Sequence, residues 1–322
     1  MTYDKPIKRI AVVGTGVIGA SWAAQYLARG FDVVATDPAP GAEKRLRDYI
    51  NRAWPDLKTI GLAAGASQDR LSFTADMSAA LVDADFVQEN GPERPEFKQK
   101  LFAEMDVAAP IDTIIASSSS GLTMSSVQVD CVHPERTVIG HPFNPPHIIP
   151  LVEVVAGAKT APDAIARAMR FYAEIGKKPI LLKKELPGHV ANRLQIALYK
   201  EITYLIQDGV LSVADADDAV SYGPGLRWGV MGPNLQWHLG GGEGGIQHFM
   251  EHLMPRMVES MKHLGSPDFG PTLAQTIVDG VLAEAAGKSV DELAAEENRT
   301  LIGLLALRNV SKARAASAVA AE

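Results

Sequence analysis

Two side chains in this sequence have the types and spacing of a general-base pair. His141 ends a short apolar run, Thr137 to Gly140, that reads as a strand. Pro142, Pro145 and Pro146 follow closely, which forbids a helix and forces an extended loop. A second apolar run, Leu151 to Val155, carries Glu153 in its middle. Burying an unpaired carboxylate is costly, so Glu153 needs a partner. The loop can return the chain to the same sheet, which makes His141, twelve residues back, the simplest candidate. An imidazole held by a carboxylate has a fixed tautomer and can serve as a general base.

What such a base acts on is suggested upstream. Lys8 to Val13 is a β-branched run, read as the first strand, and it runs into Gly14-Thr15-Gly16-Val17-Ile18-Gly19. A helical stretch, Ala20 to Arg29, is capped by Gly30, and a second strand, Phe31 to Thr36, ends at Asp37. This is a dinucleotide-binding fingerprint with each part in register. Gly14 allows the tight turn, Gly16 lets backbone approach a pyrophosphate, and Gly19 lets the helix pack close to the strand. The helix start, with Val17 and Ile18, offers free N–H groups to the phosphates. Asp37 can accept hydrogen bonds from an adenosine ribose and would repel a 2′-phosphate. No basic residue follows until Lys44, so NAD is expected rather than NADP.

The elements that must carry these groups alternate. Ala42 to Trp54 reads as a helix ended by Pro55, Leu71 to Thr74 as a strand, Met77 to Val82 as a helix and Asp85 to Gln88 as a strand. Pro95 to Val107 reads as a helix with Phe97, Leu101 and Met105 on one face. Glu93 and Lys98 sit where they could reach the cofactor ribose, or they are an ordinary charge pair at a helix start. Strand Thr113 to Ala116 leads into Ser117-Ser118-Ser119-Ser120, which could be a plain turn; Ser120 is the serine best placed to reach a substrate oxygen. Helix Pro162 to Ile175, with Ile165, Met169 and Tyr172 on one face, and strand Lys178 to Leu182 complete this half. The expected architecture is α/β: a Rossmann-type doubly wound, mostly parallel sheet over residues 1–186, followed by an all-helical domain over residues 187–322.

In the second half strand signals stop. His189 to Gln207 reads as a long helix with Val190, Leu194, Leu198, Ile202, Leu205 and Ile206 on one face and Asn192 in its first turn. Asn192 could satisfy backbone there or grip substrate. Ser212 and Asp215 resemble a capping box for a helix over Val213 to Tyr222. Gly223 to Pro233 reads as a loop carrying Arg227 and Trp228, followed by Trp237 and a glycine-rich run, Gly240 to Gly245. Such a run invites mobility or a close ligand approach. Further helices are expected over Ile246 to Leu264, Leu273 to Ala286 and Val290 to about Arg314, and a helical domain of this kind suits a homodimer.

Composition narrows the partners. The chain has 322 residues and a formal net charge of −7, which argues against nucleic acid and an anionic membrane surface. No apolar stretch approaches the roughly eighteen residues of a membrane helix. One cysteine, Cys131, cannot form an intrachain disulfide, so a reducing cytoplasm is the default compartment. No metal site is expected.

The motifs Gly14 to Gly19, Ser117 to Ser120, Gly140 to Pro145, Pro150 to Val155 and Pro187 to Leu194 together resemble the L-3-hydroxyacyl-CoA dehydrogenase family. The resemblance covers nearly the whole chain. It implies NAD-dependent oxidation of a 3-hydroxyl to a ketone, with His141 as base, Glu153 orienting it, and Ser120 and Asn192 holding the substrate oxygen. It also implies that Asp37, Glu93 and Lys98 contact the cofactor riboses. Residues 37–43, Asn51 to Trp54 and Gly225 to Trp228 are similar to the carnitine-oxidising branch of the family. Asn144-Pro145-Pro146 with Pro150 to Glu153 is similar to the gulonate-oxidising, lens-crystallin branch. A carnitine-like substrate needs a cation for its carboxylate, for which Arg227 is the candidate. It also needs aromatic faces for its trimethylammonium, for which Trp228, Trp237 and Phe143 are the candidates. The competing readings are L-gulonate or a 3-hydroxyacyl-CoA as substrate, and a crystallin-like protein that keeps the nucleotide fold without turnover.

Overall fold

In the computed structural model, which describes residues 5–319, the first half of the chain builds one eight-stranded sheet in the order β3-β2-β1-β4-β5-β6-β7-β8. The strands are β1 (Arg9–Val13), β2 (Asp32–Thr36), β3 (Leu71–Thr74), β4 (Phe86–Glu89), β5 (Ile114–Ser117), β6 (Thr137–Pro142), β7 (Leu151–Ala156) and β8 (Lys178–Leu182). Every neighbouring pair is parallel except β6 and β7. The first unit divides from the second after Arg193.

Both faces of the sheet are covered, because the strands are apolar on both. Ile10 and Val12 of β1 face one core with Trp22, Tyr26 and Leu27 of α1 (Val17–Ala28), Leu46 and Ile50 of α2 (Ala42–Ile60), and Phe171 and Tyr172 of α6. Ala11 and Val13 face the other, with Leu81 of α3 (Met77–Leu81), Phe102 and Met105 of α4 (Pro95–Ala108), and Met124 and Val127 of α5 (Met124–Val127). Helix α6 spans Pro162–Glu174.

Two helices depart from expectation. Pro55 does not end α2, which continues to Ile60 and stops at Gly61, whose φ is +113°. A proline inside a helix costs about 3 kcal/mol. The buried stripe of Ala53, Trp54 and Leu57 runs straight through the proline and outweighs it. In α4 the buried face is Lys98, Phe102 and Met105, whereas Phe97 is 39% exposed.

The second unit, Leu194 onward, is helical. It contains most of α7 (Ala191–Gln207), then α8 (Val213–Ser221), α9 (Pro224–Val230), α10 (Pro233–Gly240), α11 (Gly245–His248), α12 (Met254–Met261), α13 (Pro271–Ala285) and α14 (Val290–Val319). The N-cap half of the capping box forms: the Asp215 amide donates to Ser212 Oγ at 3.1 Å, and the Ser212 hydroxyl donates to Asp215 Oδ2 at 2.6 Å. The expected loop over 223–233 is instead largely α9, started by Pro224 at its first turn. The expected helix over 246–264 is interrupted by a π-helical segment, Phe249–Leu253. Of the expected apolar face of α7, Ile206 is buried while Leu194 is 67% exposed.

Three glycines of the run, Gly241, Gly244 and Gly245, are packed tight. A Cβ at Gly241 would lie 1.7 Å from the Gly245 carbonyl oxygen, and one at Gly245 would lie 2.6 Å from the His238 ring. The glycines let α10 and α11 meet at a corner, which the Ile246 amide closes on His238 Nδ1 at 3.0 Å.

Candidate active site

The antiparallel pairing of β6 and β7 places His141 directly opposite Glu153. Side chains of paired residues share a face of the sheet, and His141 Nδ1 lies 2.9 Å from Glu153 Oε2. Both residues are buried. A carboxylate only accepts, so Nδ1 donates and the lone pair is on Nε2. Glu153 Oε1 accepts the amides of Val190 at 2.8 Å and Ala191 at 3.0 Å. Burial alone would raise the Glu153 carboxyl. The hydrogen bonds from His141 and from the two amides at the start of α7 outweigh burial and hold the carboxyl below its ordinary value. The site therefore offers a base with a fixed tautomer and an ionised carboxylate behind it.

Strand β6 is braced from beneath. A Cβ at Gly140 would fall 2.0 Å from the Tyr172 hydroxyl oxygen, so only glycine fits. Tyr172 donates to Gln88 Oε1 at 2.7 Å, and Gln88 Nε2 donates to Ser118 Oγ at 2.8 Å and to the Gly140 carbonyl at 3.3 Å. The loop after His141 includes the cis Asn144-Pro145 bond and is tied to α1 by His147, whose Nδ1 lies 2.8 Å from Ser21 Oγ. The buried Lys177 amine also donates to the Pro146 carbonyl.

The four serines divide as their surroundings dictate. Ser117 Oγ donates to Glu89 at 2.6 Å, Ser118 Oγ to Asn90 at 2.7 Å and Ser119 Oγ to Glu93 at 2.5 Å. Among the described residues the half-buried Ser120 hydroxyl has no hydrogen-bond partner. Asn192 lies in the first turn of α7, one residue after an amide that holds Glu153.

The glycine loop sits as its spacing predicts. Gly14 has φ +83°, and a Cβ there would meet the Asn90 backbone at 2.9 Å. A Cβ at Gly19 would come 1.9 Å from the Gly14 carbonyl oxygen, whereas one at Gly16 would meet nothing within 4 Å. The open side of Gly16 faces a cavity of about 750 Å³ lined by Gly14, Asp37, Met77, Asn90, Phe97 and Leu101, among others. Val17 and Ile18 open α1 beside it. Asp37 Oδ2 accepts the Thr15 amide at 2.9 Å, and Oδ1 accepts the Ala39 amide at 2.9 Å, so the carboxylate is fixed at the rim. A cradle that Cβ atoms would fill, a fixed carboxylate and an apolar slot suit an adenine dinucleotide.

Two expected cofactor contacts, Lys98 and Glu93, are held by hydrogen bonds within the chain. Lys98 is buried, and its ammonium donates to both Glu89 oxygens, at 2.7 and 2.9 Å, and to the Gly91 carbonyl at 3.1 Å. Its three donors are used within the chain. A cation on the buried face of α4 needs a counter-charge, and Glu89 supplies it. Glu93 Oε1 takes Ser119 Oγ and the amides of Gly121 at 2.7 Å and Leu122 at 3.2 Å, which makes it a clamp on the serine turn.

In the second unit Arg227 donates through Nε and Nη2 to Gln236 Oε1 at 2.8 and 2.6 Å. Trp228 is 39% exposed. Trp237 instead stacks on Phe249 at 5.0 Å, as part of that unit's packing. Phe143 belongs to the first unit, just past β6. Burial pushes the Cys131 thiol up to about 12, so it is inert at neutral pH. Among the described residues no group of three metal-ligating side chains occurs, and no helix is long and apolar enough to cross a membrane.

Sequence reasoning assigned no site role to His189 or to the cavity-lining Met77, Phe97 and Leu101. Phe97 and Leu101 carried a signal, an i, i+4 apolar pair on one helix face, but spacing alone does not say that the face lines a cavity.

Residues 9–186 match the 3-hydroxyacyl-CoA dehydrogenase NAD binding domain, and residues 188–288 match the C-terminal domain of 3-hydroxyacyl-CoA dehydrogenase. The chain belongs to the 3-hydroxyacyl-CoA dehydrogenase family. The cavity beside Gly16 is thus in the NAD-binding domain of a 3-hydroxyacyl-CoA dehydrogenase-family oxidoreductase. An L-carnitine dehydrogenase of Streptomyces griseus is 49% identical over 93% of this chain and 89% of its own length. One of Bacillus cereus is 46% identical over 94% and 92%. Among solved structures, 5-formyl-3-hydroxy-2-methylpyridine 4-carboxylic acid 5-dehydrogenase, an NAD+-dependent dismutase, superposes with a TM-score of 0.80 at 32% identity, covering 94% of this chain and 99% of that one. The 3-hydroxybutyryl-CoA dehydrogenase of Escherichia coli gives a TM-score of 0.61 at 28% identity, over 73% and 50%.

Proposed function

We propose that this chain oxidises L-carnitine at its 3-hydroxyl to 3-dehydrocarnitine. The observation that carries the chemistry is the buried hydrogen bond between His141 and Glu153. The substrate rests on the likeness to L-carnitine dehydrogenases, 43% to 49% identical. NAD+ supplies the hydride acceptor when bound in the cradle of Gly14, Gly16, Val17, Ile18 and Gly19, with Asp37 on the adenosine ribose. His141 Nε2 takes the hydroxyl proton, and Glu153 stabilises the imidazolium that forms. Ser120, whose hydroxyl is unspent, and Asn192 hold the substrate oxygen. A carnitine carboxylate needs a cation and its trimethylammonium needs aromatic faces.

NADH formation with L-carnitine, L-gulonate and 3-hydroxybutyryl-CoA, measured side by side, tests the reading. The expected kcat/KM is highest for L-carnitine, and a higher value for either competitor overturns the assignment. The second unit carries exposed Leu226, Val230, Leu235, Leu239 and Leu282, which suits assembly as a homodimer. Sedimentation of a monomer at micromolar concentration would overturn that part.

A further inference from the structure

His189 is buried, and its Nε2 lies 2.9 Å from the Ser119 carbonyl oxygen. A carbonyl only accepts, so Nε2 carries the proton and Nδ1 does not. Among the described residues that buried Nδ1 has no hydrogen-bond partner. The ring lies 5.1 Å from the His141 ring, tilted by 45°. The backbone at His189 has φ +49°, a left-handed conformation found in only a few per cent of non-glycine residues, asparagine, aspartate and histidine most readily. This turn lets one short segment do three things. Its ring lies beside His141, its N–H holds the carbonyl just before Ser120, and the next two amides hold Glu153.

Packing alone does not account for an imidazole here. A phenyl ring would fill the space without leaving a buried lone pair unpaired, and an unsatisfied buried acceptor is costly. An unfavourable backbone angle and an orphaned acceptor, both kept at one residue, point to a functional demand. We infer that His189 is a positioning residue for the reaction, fixing the serine turn relative to the His141–Glu153 couple.

The inference rests on the reading of His141 as base and Ser120 as substrate-holding. Both must engage one substrate oxygen, so their separation sets the rate. The charged or titratable groups around His189 are His141 on β6, Glu153 on β7 and Glu93 in the turn after β4. Burial lowers the His189 pKa, which keeps a second cation away from the imidazolium that forms on His141.

Two variants separate the role from simple packing. His189→Phe keeps a ring against His141 but cannot donate to Ser119. His189→Asn suits the left-handed backbone and restores an N–H donor. With whichever panel substrate turns over, kcat of the phenylalanine variant should fall about 10²-fold. Its NADH affinity should match wild type, and its melting temperature should stay within about 3 °C. The asparagine variant should recover at least tenfold of the loss. A phenylalanine variant with kcat and KM within twofold of wild type overturns the inference, as does an asparagine variant no better than phenylalanine. Loss of activity in step with loss of melting temperature or NADH binding also overturns it. Nitrogen-15 NMR of histidine-labelled wild type, assigned by the phenylalanine variant, reads the tautomer directly: an Nδ1–H form is incompatible with the Ser119 bond. His141→Gln, run in parallel, tells the two failures apart. If it stays active, the base assignment falls; if it is dead while His189→Phe is normal, only the positioning role falls.

Discussion

His141 and Glu153 are cross-strand neighbours in the one antiparallel pair of the described sheet, joined by a 2.9 Å hydrogen bond. A register shift of one residue would turn Glu153 to the opposite face. His141→Gln should reduce kcat about 10²–10⁴-fold, the usual contribution of a general base. NADH affinity, measured by fluorescence titration, should be unchanged, since the cavity beside Gly16 is lined by other residues. Near-normal turnover would remove His141 from the mechanism.

Two glycines of one loop should fail differently. At Gly16 an added methyl meets open space, so Gly16→Ala should fold with wild-type stability yet raise KM for NAD+ by at least tenfold. At Gly19 the methyl would sit 1.9 Å from backbone oxygen. Gly19→Ala should therefore lower the melting temperature as well as NAD+ affinity. Differential scanning calorimetry alongside KM decides between the two.

The buried Lys98–Glu89 pair should be worth most when broken from one side. Lys98→Met leaves Glu89 charged and buried, at a cost of about 3–5 kcal/mol in urea denaturation. The double variant Lys98→Met with Glu89→Leu should regain much of that loss. A single variant as stable as wild type would show the pair to be solvated.

Acid should destabilise the first unit through several groups, His147 and Glu153 among them. Burial, with the nearby Lys177 charge, lowers His147 from 6.5 to about 4. A group with a depressed folded value stabilises above its unfolded value and loses that contribution as pH falls towards the folded one. His147 thus accounts for a decline between pH 6.5 and about 4. Glu153, also depressed, extends the decline below the ordinary carboxylate range. Melting temperature against pH should fall less steeply over the upper interval in His147→Gln. Parallel curves for variant and wild type would rule out His147 as the source.

The nucleotide half was legible in the sequence because its signals are local. Glycine spacing, the β-branched runs and an acid at a strand tip each report a backbone requirement that holds wherever the segment sits. The His141–Glu153 pair was legible for a related reason. A charge inside an apolar strand demands a partner, and the proline loop limits where one can be.

What tertiary structure alone decided was the use of groups whose partners lie far along the chain. Lys98 and Glu93 sit five residues apart at a helix start, and only the fold brings Glu89 to one and the serine turn to the other. The glycine run at 240–245 reads as mobile or open to a ligand, but the Cβ positions of Gly241, Gly244 and Gly245 are taken by neighbouring backbone, His248 and His238. Pro55 reads as a stop, but the buried stripe on both sides carries α2 through it. His189 gave no signal, because nothing in its neighbourhood of sequence names Ser119, seventy residues earlier, as its acceptor. Local sequence specifies backbone conformation; the pairing of a buried polar group is set by whichever distant segment the packed core delivers to it.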